Sequence, residues 1–294
     1  MDAIKITNLK KYYGKSRGLE SATFSVREGE IFGFVGPNGA GKTTLIRILL
    51  GLIHPTLGEV SIFNQLPGKD SPQLNKEIGY LPSEAFFFPE MKVKDVLKFY
   101  GAMRKISSER EMELIERFDL DLSKKVSELS FGNKKKLGIV VALMHQPKLL
   151  ILDEPTTGLD PLMQQTFLEL LLEEKKKGVT IFLSSHILSE VEKICDRVAL
   201  IREGEIKAVF EMKDVSDKIT KKVILSPIIT KKLIAGLTLA EVKEETGFYD
   251  YQGDINKLLT YLSGFSFTSV QIKDASLEEI FIGYYQKEGQ DNVL

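Results

Sequence analysis

The sequence is organised around one glycine-rich stretch, which reads GPNGAGKT over residues 36–43. It follows the apolar run Ile31–Val35 and precedes the helical pattern Thr44–Leu50, which Gly51 closes. The spacing matches the phosphate-binding loop, or P-loop, in full. Glycines let several backbone N–H groups of such a loop point at one anion, and the next helix presents its positive end to the same anion. The stretch therefore predicts a strand, a phosphate-binding loop and a helix.

Two polar side chains at the end of the loop give it a chemical role. Lys42 is long enough to reach the β- and γ-phosphates of a nucleotide, and the Thr43 hydroxyl is a ligand for Mg²⁺. ATP and Mg²⁺ are therefore the expected cofactors. The residues expected to hold them in this stretch are Gly36, Pro37, Asn38, Gly39, Ala40, Gly41, Lys42, Thr43 and Thr44.

A second apolar run, Leu149–Leu152, ends in Asp153 and Glu154. An aspartate at a strand end can hold Mg²⁺ through the water of its hydration shell. Because side chains alternate along a strand, Glu154 points elsewhere and could face a water that attacks the γ-phosphate. Alone, the pair would favour a solvated acidic turn. Beside a complete P-loop, it predicts a metal-binding aspartate and a catalytic glutamate.

A third apolar run, Val179–Leu183, leads to Ser184, Ser185 and His186. A histidine in such a place is more often structural when no other motif accompanies it. Here it ends a predicted buried strand close to the expected position of a γ-phosphate. We therefore predict that His186 contacts phosphate.

Apolar runs alternate with helical patterns along the chain, which predicts a parallel α/β sheet with its ligand site at the carboxyl ends of the strands. Residues 1–30 alternate with period two, which indicates half-buried antiparallel strands. The predicted fold class is α/β: a P-loop NTPase core, an N-terminal antiparallel β subdomain, a helical insertion at about 90–145 and a small C-terminal α+β appendage. The further expected elements are helices at Met91–Met103, Glu109–Phe118, Lys134–His145, Met163–Lys177 and Leu188–Cys195, and a strand at Arg197–Ile201.

The pattern predicts two domains, an ATP-binding domain at 1–214 and an accessory domain at 215–294. The sequence of the accessory domain is rich in lysine at its start and then shows a βαβ-like pattern. Its expected elements are Lys222–Leu225, Ile255–Leu262 and Thr268–Ile272.

Amino-acid composition limits the classes of partner and environment that we expect for this chain. The 40 Lys and Arg nearly balance 41 Asp and Glu, so bulk charge does not indicate nucleic acid. The single cysteine, Cys195, excludes an internal disulfide and is expected to be a small buried hydrophobe. We expect neither a signal peptide nor a membrane span, because a span needs about 20 apolar residues. The lysine run at 134–136 is expected to be a solvated helix face.

Six short motifs in a fixed order carry a resemblance across about residues 1–205. They are Tyr13, the P-loop, the run Ile78–Pro82, the run Leu129–Asn133, the run Asp153–Pro161 and the run Ser184–His186. In this order they resemble the nucleotide-binding subunit of ABC transporters. In that family the last four are called the Q-loop, the signature, the Walker B motif with its D-loop, and the H-loop.

The resemblance implies a mechanism. Two such subunits pair head to tail, as a homodimer or a heterodimer, and each ATP lies between one P-loop and Ser130 with Gly132 of the other subunit. Tyr13 would stack on adenine, Glu154 would be the general base, and His186 would sense the γ-phosphate; Lys42 and Ser83 complete the implied site.

The resemblance also implies an integral membrane subunit as partner, no nucleic acid, and a cytoplasmic location on the inner face of the membrane. The tail at 275–281 resembles the drug- and antibiotic-exporter branch, which includes bacitracin-type exporters. A soluble ABC-type ATPase with no transport role is the alternative. A module that binds ATP without hydrolysing it fits less well, because Glu154 and His186 are both present.

The chain departs from the family pattern in two places. Ser83 stands where the Q-loop has glutamine, so either Glu84 substitutes from the next position or the contact is lost. Phe131 replaces a signature glycine, and Lys134 could add charge to the interface or be solvated. The phenylalanines at 86–88 follow the Q-loop where the family receives a coupling helix from the membrane subunit; core packing is an equally good interpretation.

Overall fold

The computed structural model describes residues 1–68, 71–104, 106–214, 221–229 and 232–274. The chain divides into two units, Met1–Glu211 and Met212–Leu294. No helix within the described residues has both the length and the apolar character needed to cross a bilayer.

A nine-stranded sheet forms the first unit, with strand order β4-β1-β2-β9-β8-β3-β7-β6-β5. Its strands are β1 (Asp2–Tyr13), β2 (Ser16–Arg27), β3 (Ile31–Val35), β4 (Leu57–Ile62), β5 (Ile78–Leu81), β6 (Leu149–Asp153), β7 (Thr180–Ser185), β8 (Arg197–Arg202) and β9 (Glu205–Glu211). The strands β1, β2 and β4 pair antiparallel, and β5, β6, β7, β3 and β8 are parallel to their neighbours in that order. Both the antiparallel N-terminal strands and the parallel core are as predicted.

Seven helices belong to the described part of this unit. They are α1 (Lys42–Leu49), α2 (Pro72–Glu77), α3 (Val93–Ala102), α4 (Ser108–Arg117), α5 (Phe131–Leu143), α6 (Pro161–Lys176) and α7 (Leu188–Ile194). The predicted helical insertion is confirmed as α3, α4 and α5, with a 3₁₀ turn at Val126–Glu128 before α5. The signature helix α5 begins at Phe131, three residues earlier than the apolar pattern indicated.

An aromatic stack fills the core below the parallel strands. The rings of Phe24, Phe32, Phe34 and Phe182 are buried, with centroid separations between 5.2 and 6.5 Å among the stacked and tilted pairs. Such pairs add about 0.5–1.5 kcal/mol each beyond their area burial. The stack thereby fixes β3 against β7, whose carboxyl ends lead to the P-loop and to His186.

Two ion pairs join the helical insertion to the core helix α6. The Arg110 guanidinium on α4 lies 2.8 Å from the Glu174 carboxylate, and both side chains are almost fully buried. Arg117, two helical turns further along α4, forms a more exposed pair with Glu173 at 2.6 Å. Removing one partner of a buried pair leaves an uncompensated charge, so this contact fixes how α4 lies on α6.

The second unit contains an antiparallel sheet in the order β11-β12-β10-β13. Its described elements are β10 (Lys221–Ser226), β11 (Leu237–Lys243), β12 (Thr246–Tyr251), α8 (Ile255–Leu262) and β13 (Ser269–Asp274). The βαβ-like expectation was wrong, because β10 and β13 pair antiparallel and two strands separate β10 from α8. The edge strand β11, which was not predicted, is exposed at every residue except Leu237. The exporter-like tail at 275–281 lies outside the described residues.

Candidate functional site

The P-loop joins β3 to α1 by a backbone path that only glycine allows at two points. A β-carbon at Gly36 would collide with the carbonyl oxygen of Ile201, and one at Gly41 with the carbonyl oxygen of Gly18. Gly41 also has φ of 108°, in the left-handed range that other residues rarely adopt. Helix α1 begins immediately after it, at Lys42. The N–H groups of the loop and the helix start thus converge on one place, as an anion site requires.

Lys42 is buried in the loop that precedes it. Its Nζ donates to the carbonyl oxygens of Gly36 at 2.7 Å and Pro37 at 3.2 Å. The same Nζ lies 3.2 Å from Oε1 of Glu154, an ion-pair contact without hydrogen-bond geometry. The ammonium therefore sits at the base of the loop, facing the acidic strand end.

Asp153 ends β6 beside the P-loop and is 1% exposed. Thr43 Oγ1 donates to its Oδ2 at 3.1 Å, and Ser184 Oγ donates to its Oδ1 at 2.6 Å. One carboxylate and one hydroxyl on neighbouring elements are the oxygen ligands that Mg²⁺ takes from a protein when phosphates and water supply the rest. Among the described residues, no group of three or more His, Cys, Asp or Glu that could hold a metal ion is found.

Glu154 lies between a lysine and a histidine. Its Oε2 is 2.7 Å from Nδ1 of His186, and its Oε1 faces Lys42. The backbone of Glu154 has φ of 47°, which is uncommon for a residue with a side chain. Its N–H donates to the carbonyl oxygen and the hydroxyl of Ser184, each at 3.2 Å. The strained backbone turns the carboxylate out of the strand direction and toward the P-loop.

A cavity of about 360 Å³ opens beside these groups. Tyr13 and the P-loop line it together with Ser83 and Glu154, so the structure brings these predicted residues to one place. Tyr13 is 45% exposed, and Lys11 Nζ lies 5.3 Å from its ring centroid. An exposed ring at the edge of a polar cleft can stack on a base.

Ser130 and Gly132 do not line this cavity; they lie at the start of α5. Ser130 caps the helix, accepting a hydrogen bond from the Asn133 N–H at 3.2 Å. The exposed ring of Phe131 lies over the α-carbon of Gly158, where a β-carbon would overlap it. The departure at Phe131 thus packs the signature helix against the loop that follows Glu154.

Comparison with known proteins supports the same interpretation. The sequence profile of the family described as ABC transporter matches residues 19–157. The chain is 40% identical over 208 residues to the bacitracin transport ATP-binding protein BcrA of Bacillus licheniformis, covering 69% of this chain and 68% of that protein. It is 32% identical over 301 residues to the linearmycin resistance ATP-binding protein LnrL of Bacillus subtilis, covering 95% of this chain and 97% of the relative.

This chain belongs to the ABC transporter ATP-binding family. A solved structure of an ATP-binding subunit of an ABC transporter has a TM-score of 0.68 and 32% identity, covering 72% of this chain and 91% of that one. As a member of this family, the chain is an ATP-binding subunit that hydrolyses ATP. Its P-loop and strand order are those that an ABC ATPase needs to bring Lys42, Asp153 and Glu154 together.

Two residues in or near this cavity were not found from the sequence. Arg17 lines the cavity from β2 and lies 3.4 Å from Glu203. Glu190 on α7 accepts a hydrogen bond from Thr156 at 2.7 Å, and burial raises the pKa of its carboxyl. Neither belongs to a motif with a fixed spacing, because each reaches the site only through the fold of the chain.

Proposed function

We propose that this chain powers export by a separate membrane-spanning subunit, with Glu154 as the general base of ATP hydrolysis. The observation that carries the proposal is the position of the Glu154 carboxylate between Lys42 Nζ and His186 Nδ1. Glu154 accepts a proton from the attacking water, while Lys42 offsets charge on the β- and γ-phosphates. His186 holds one carboxylate oxygen and contacts the γ-phosphate.

Other residues hold the nucleotide and its metal in this proposal. Thr43 and Asp153 would hold Mg²⁺, the latter through water, and the ion would supply positive charge to neutralise the phosphate oxygens. Tyr13 stacks on adenine, and the P-loop backbone from Gly36 to Thr44 takes the phosphates. A second ATP-binding subunit supplies Ser130 and Gly132 to the far side of each ATP, where the start of a helix favours negative charge.

Glu154→Gln tests the catalytic part. We expect turnover to fall at least about 100-fold, the scale of a general-base contribution, because the amide cannot accept the proton of water. Affinity for ATP with Mg²⁺, measured by calorimetry, should remain. Unchanged turnover would remove Glu154 from its role.

The export direction is supported by the names of two relatives, which concern bacitracin transport and linearmycin resistance.

A membrane subunit as partner is supported by an apolar groove of about 280 Å³ on the helical insertion. Phe86 and Phe88 on its wall are 83% and 70% exposed, whereas Phe87 is half-buried with its ring edge-on to Tyr100. An apolar patch of this kind on the surface marks a site of interaction. The groove, placed beside the Q-loop, accommodates the coupling segment of the membrane subunit, which anchors this chain on the inner face of the membrane.

Replacing Phe86 and Phe88 by Ser tests the partner part. We expect loss of co-purification with the membrane subunit, since the exposed rings supply the apolar contact. ATP affinity and melting temperature of the chain alone should stay at their wild-type values. Phe87→Ser is the matched change at a packed ring, and it should lower the melting temperature instead. If the double variant unfolds, these rings belong to the core and the groove is not a docking site.

A further inference from the structure

Lys135 differs from the lysines on either side of it. The solvated face expected for the run 134–136 is wrong at this residue, which is 2% exposed, while Lys134 and Lys136 are partly exposed. Lys135 is the fifth residue of α5, the helix that begins at the signature. Burial lowers the pKa of its ammonium to about 8, against the opposing charges of Asp153, Glu154 and Glu84.

Three backbone carbonyls receive the Lys135 ammonium. Its Nζ donates to the oxygens of Pro82 at 3.0 Å, Ser83 at 2.9 Å and Glu154 at 3.0 Å. A lysine ammonium has three donors and no acceptor, so all of its hydrogen bonds are used here. The three carbonyls follow the adjacent parallel strands β5 and β6, two segments that are far apart in the sequence.

Each segment that Lys135 joins carries a residue of the candidate site. Ser83 and Glu154 both line the nucleotide cavity. The left-handed backbone of Glu154 is held by Ser184 at its N–H and by Lys135 at its carbonyl oxygen. The direction of the Glu154 carboxylate therefore depends on both contacts, because a change in the φ or ψ angle of Glu154 would move its N–H or its carbonyl oxygen away from its partner.

We propose that Lys135 is a positioning residue for ATP hydrolysis, which ties the Q-loop segment and the backbone of the catalytic glutamate to the signature helix through these three hydrogen bonds. The proposal rests on the proposed role of Glu154. In this role, Lys135 links helix α5, which meets the facing subunit in the proposed dimer, to the two loops of its own subunit that meet ATP. Lys135 is not among the residues that line the nucleotide cavity, and in this proposal it acts through Glu154 and Ser83.

We expect kcat to increase with the number of N–H donors on the side chain at position 135. Lys135→Met keeps an unbranched side chain but has no donor, so the three carbonyls lose their common partner. Misplacement of a catalytic group by about 1 Å costs on the order of 100-fold, and we expect Lys135→Met to lower kcat about 10- to 100-fold with ATP affinity unchanged. Lys135→Gln keeps two N–H donors and should recover part of kcat. Lys136→Met is the matched control on the same helix and should keep wild-type kcat.

A double variant separates positioning from a merely structural role. If Lys135 acts through Glu154, Lys135→Met should cause no further loss in a chain that already carries Glu154→Gln, because residues that act as a unit are not additive. A structural defect would instead multiply the two losses and weaken ATP binding. Steady-state kcat, ATP affinity by calorimetry and melting temperature are measured on the full chain for each variant.

The outcomes distinguish this proposal from the one on which it rests. Full turnover in Glu154→Gln overturns the role of Glu154, and with it the route through which Lys135 is said to act. Wild-type kcat in Lys135→Met, with Glu154→Gln inactive, overturns the role of Lys135 alone. If Lys135→Met and Lys135→Gln both lose folding or ATP binding together with kcat, Lys135 is a packing residue and the proposal is wrong.

Discussion

Lys42 and Lys135 both contact Glu154, one from the P-loop and one from the signature helix. Both are buried, and both donate to backbone carbonyls. Lys42 faces the carboxylate of Glu154 and lines the nucleotide cavity, whereas Lys135 binds the carbonyl oxygen of Glu154 and is not among the residues that line the cavity. The same residue type thus faces the nucleotide cavity in the case of Lys42 and binds only backbone carbonyl oxygens in the case of Lys135. The difference lies in which atoms surround each ammonium.

Of the changes that test this comparison between the two lysines, removal of the Lys42 ammonium is expected to have the largest effect on turnover. Lys42→Ala should lower turnover on the order of 1,000-fold, because one donor to the charge that develops in a transition state is worth about 100- to 1,000-fold and Lys42 also binds the ground state. Affinity for ATP with Mg²⁺ should fall as well, which calorimetry measures. Lys135→Met should leave that affinity intact. The comparison fails if Lys42→Ala lowers turnover while ATP binds as tightly as before.

A smaller effect is expected in the pH dependence of folding stability. Because burial lowers the Lys135 pKa from 10.5 to about 8, the folded chain binds fewer protons than the unfolded chain between these values. The contribution of Lys135 to the free energy of unfolding should therefore rise with pH across that window, by up to about 3 kcal/mol. Below about pH 8 the ammonium is charged in both states, so the contribution does not vary there.

Urea unfolding of wild type and Lys135→Met at a series of pH values measures this contribution as a difference. Subtraction removes the titration of the other lysines and tyrosines, which both chains share. The difference in unfolding free energy between wild type and Lys135→Met should grow in favour of wild type from pH 8 to 10.5. The corresponding difference between wild type and Lys136→Met should not change with pH over this range. A flat difference for Lys135→Met would mean that its ammonium is as well solvated as a surface lysine.

The P-loop side of the site could be predicted from sequence because its chemistry is local. The loop from Gly36 to Thr43 depends on backbone geometry within one turn, and Asp153 and Glu154 directly follow an apolar strand. Residue type and spacing are enough to identify such groups. The predicted strands and helices of the first unit were confirmed for the same reason, since each is marked by a local apolar run or a helical pattern.

The signature side could not be predicted in the same way. Helix α5 is buried around much of its circumference, with Leu137, Ile139 and Val140 all inside, so no polar stripe shows which lysine faces inward. The acceptors of Lys135 are main-chain oxygens, which every residue has and which leave no trace in the sequence. Its role becomes visible only when β5 and β6 are placed side by side.

Phe131, the first residue of α5, meets Gly158 in the loop that follows Glu154. The ring at 131 occupies the volume that any side chain at 158 would need, and Gly158 adopts φ of 83°. A larger residue at 158 would therefore be tolerated only with a smaller one at 131 and a different turn. The phenylalanine in the signature of this chain therefore requires a residue without a side chain at position 158, in the loop behind Glu154.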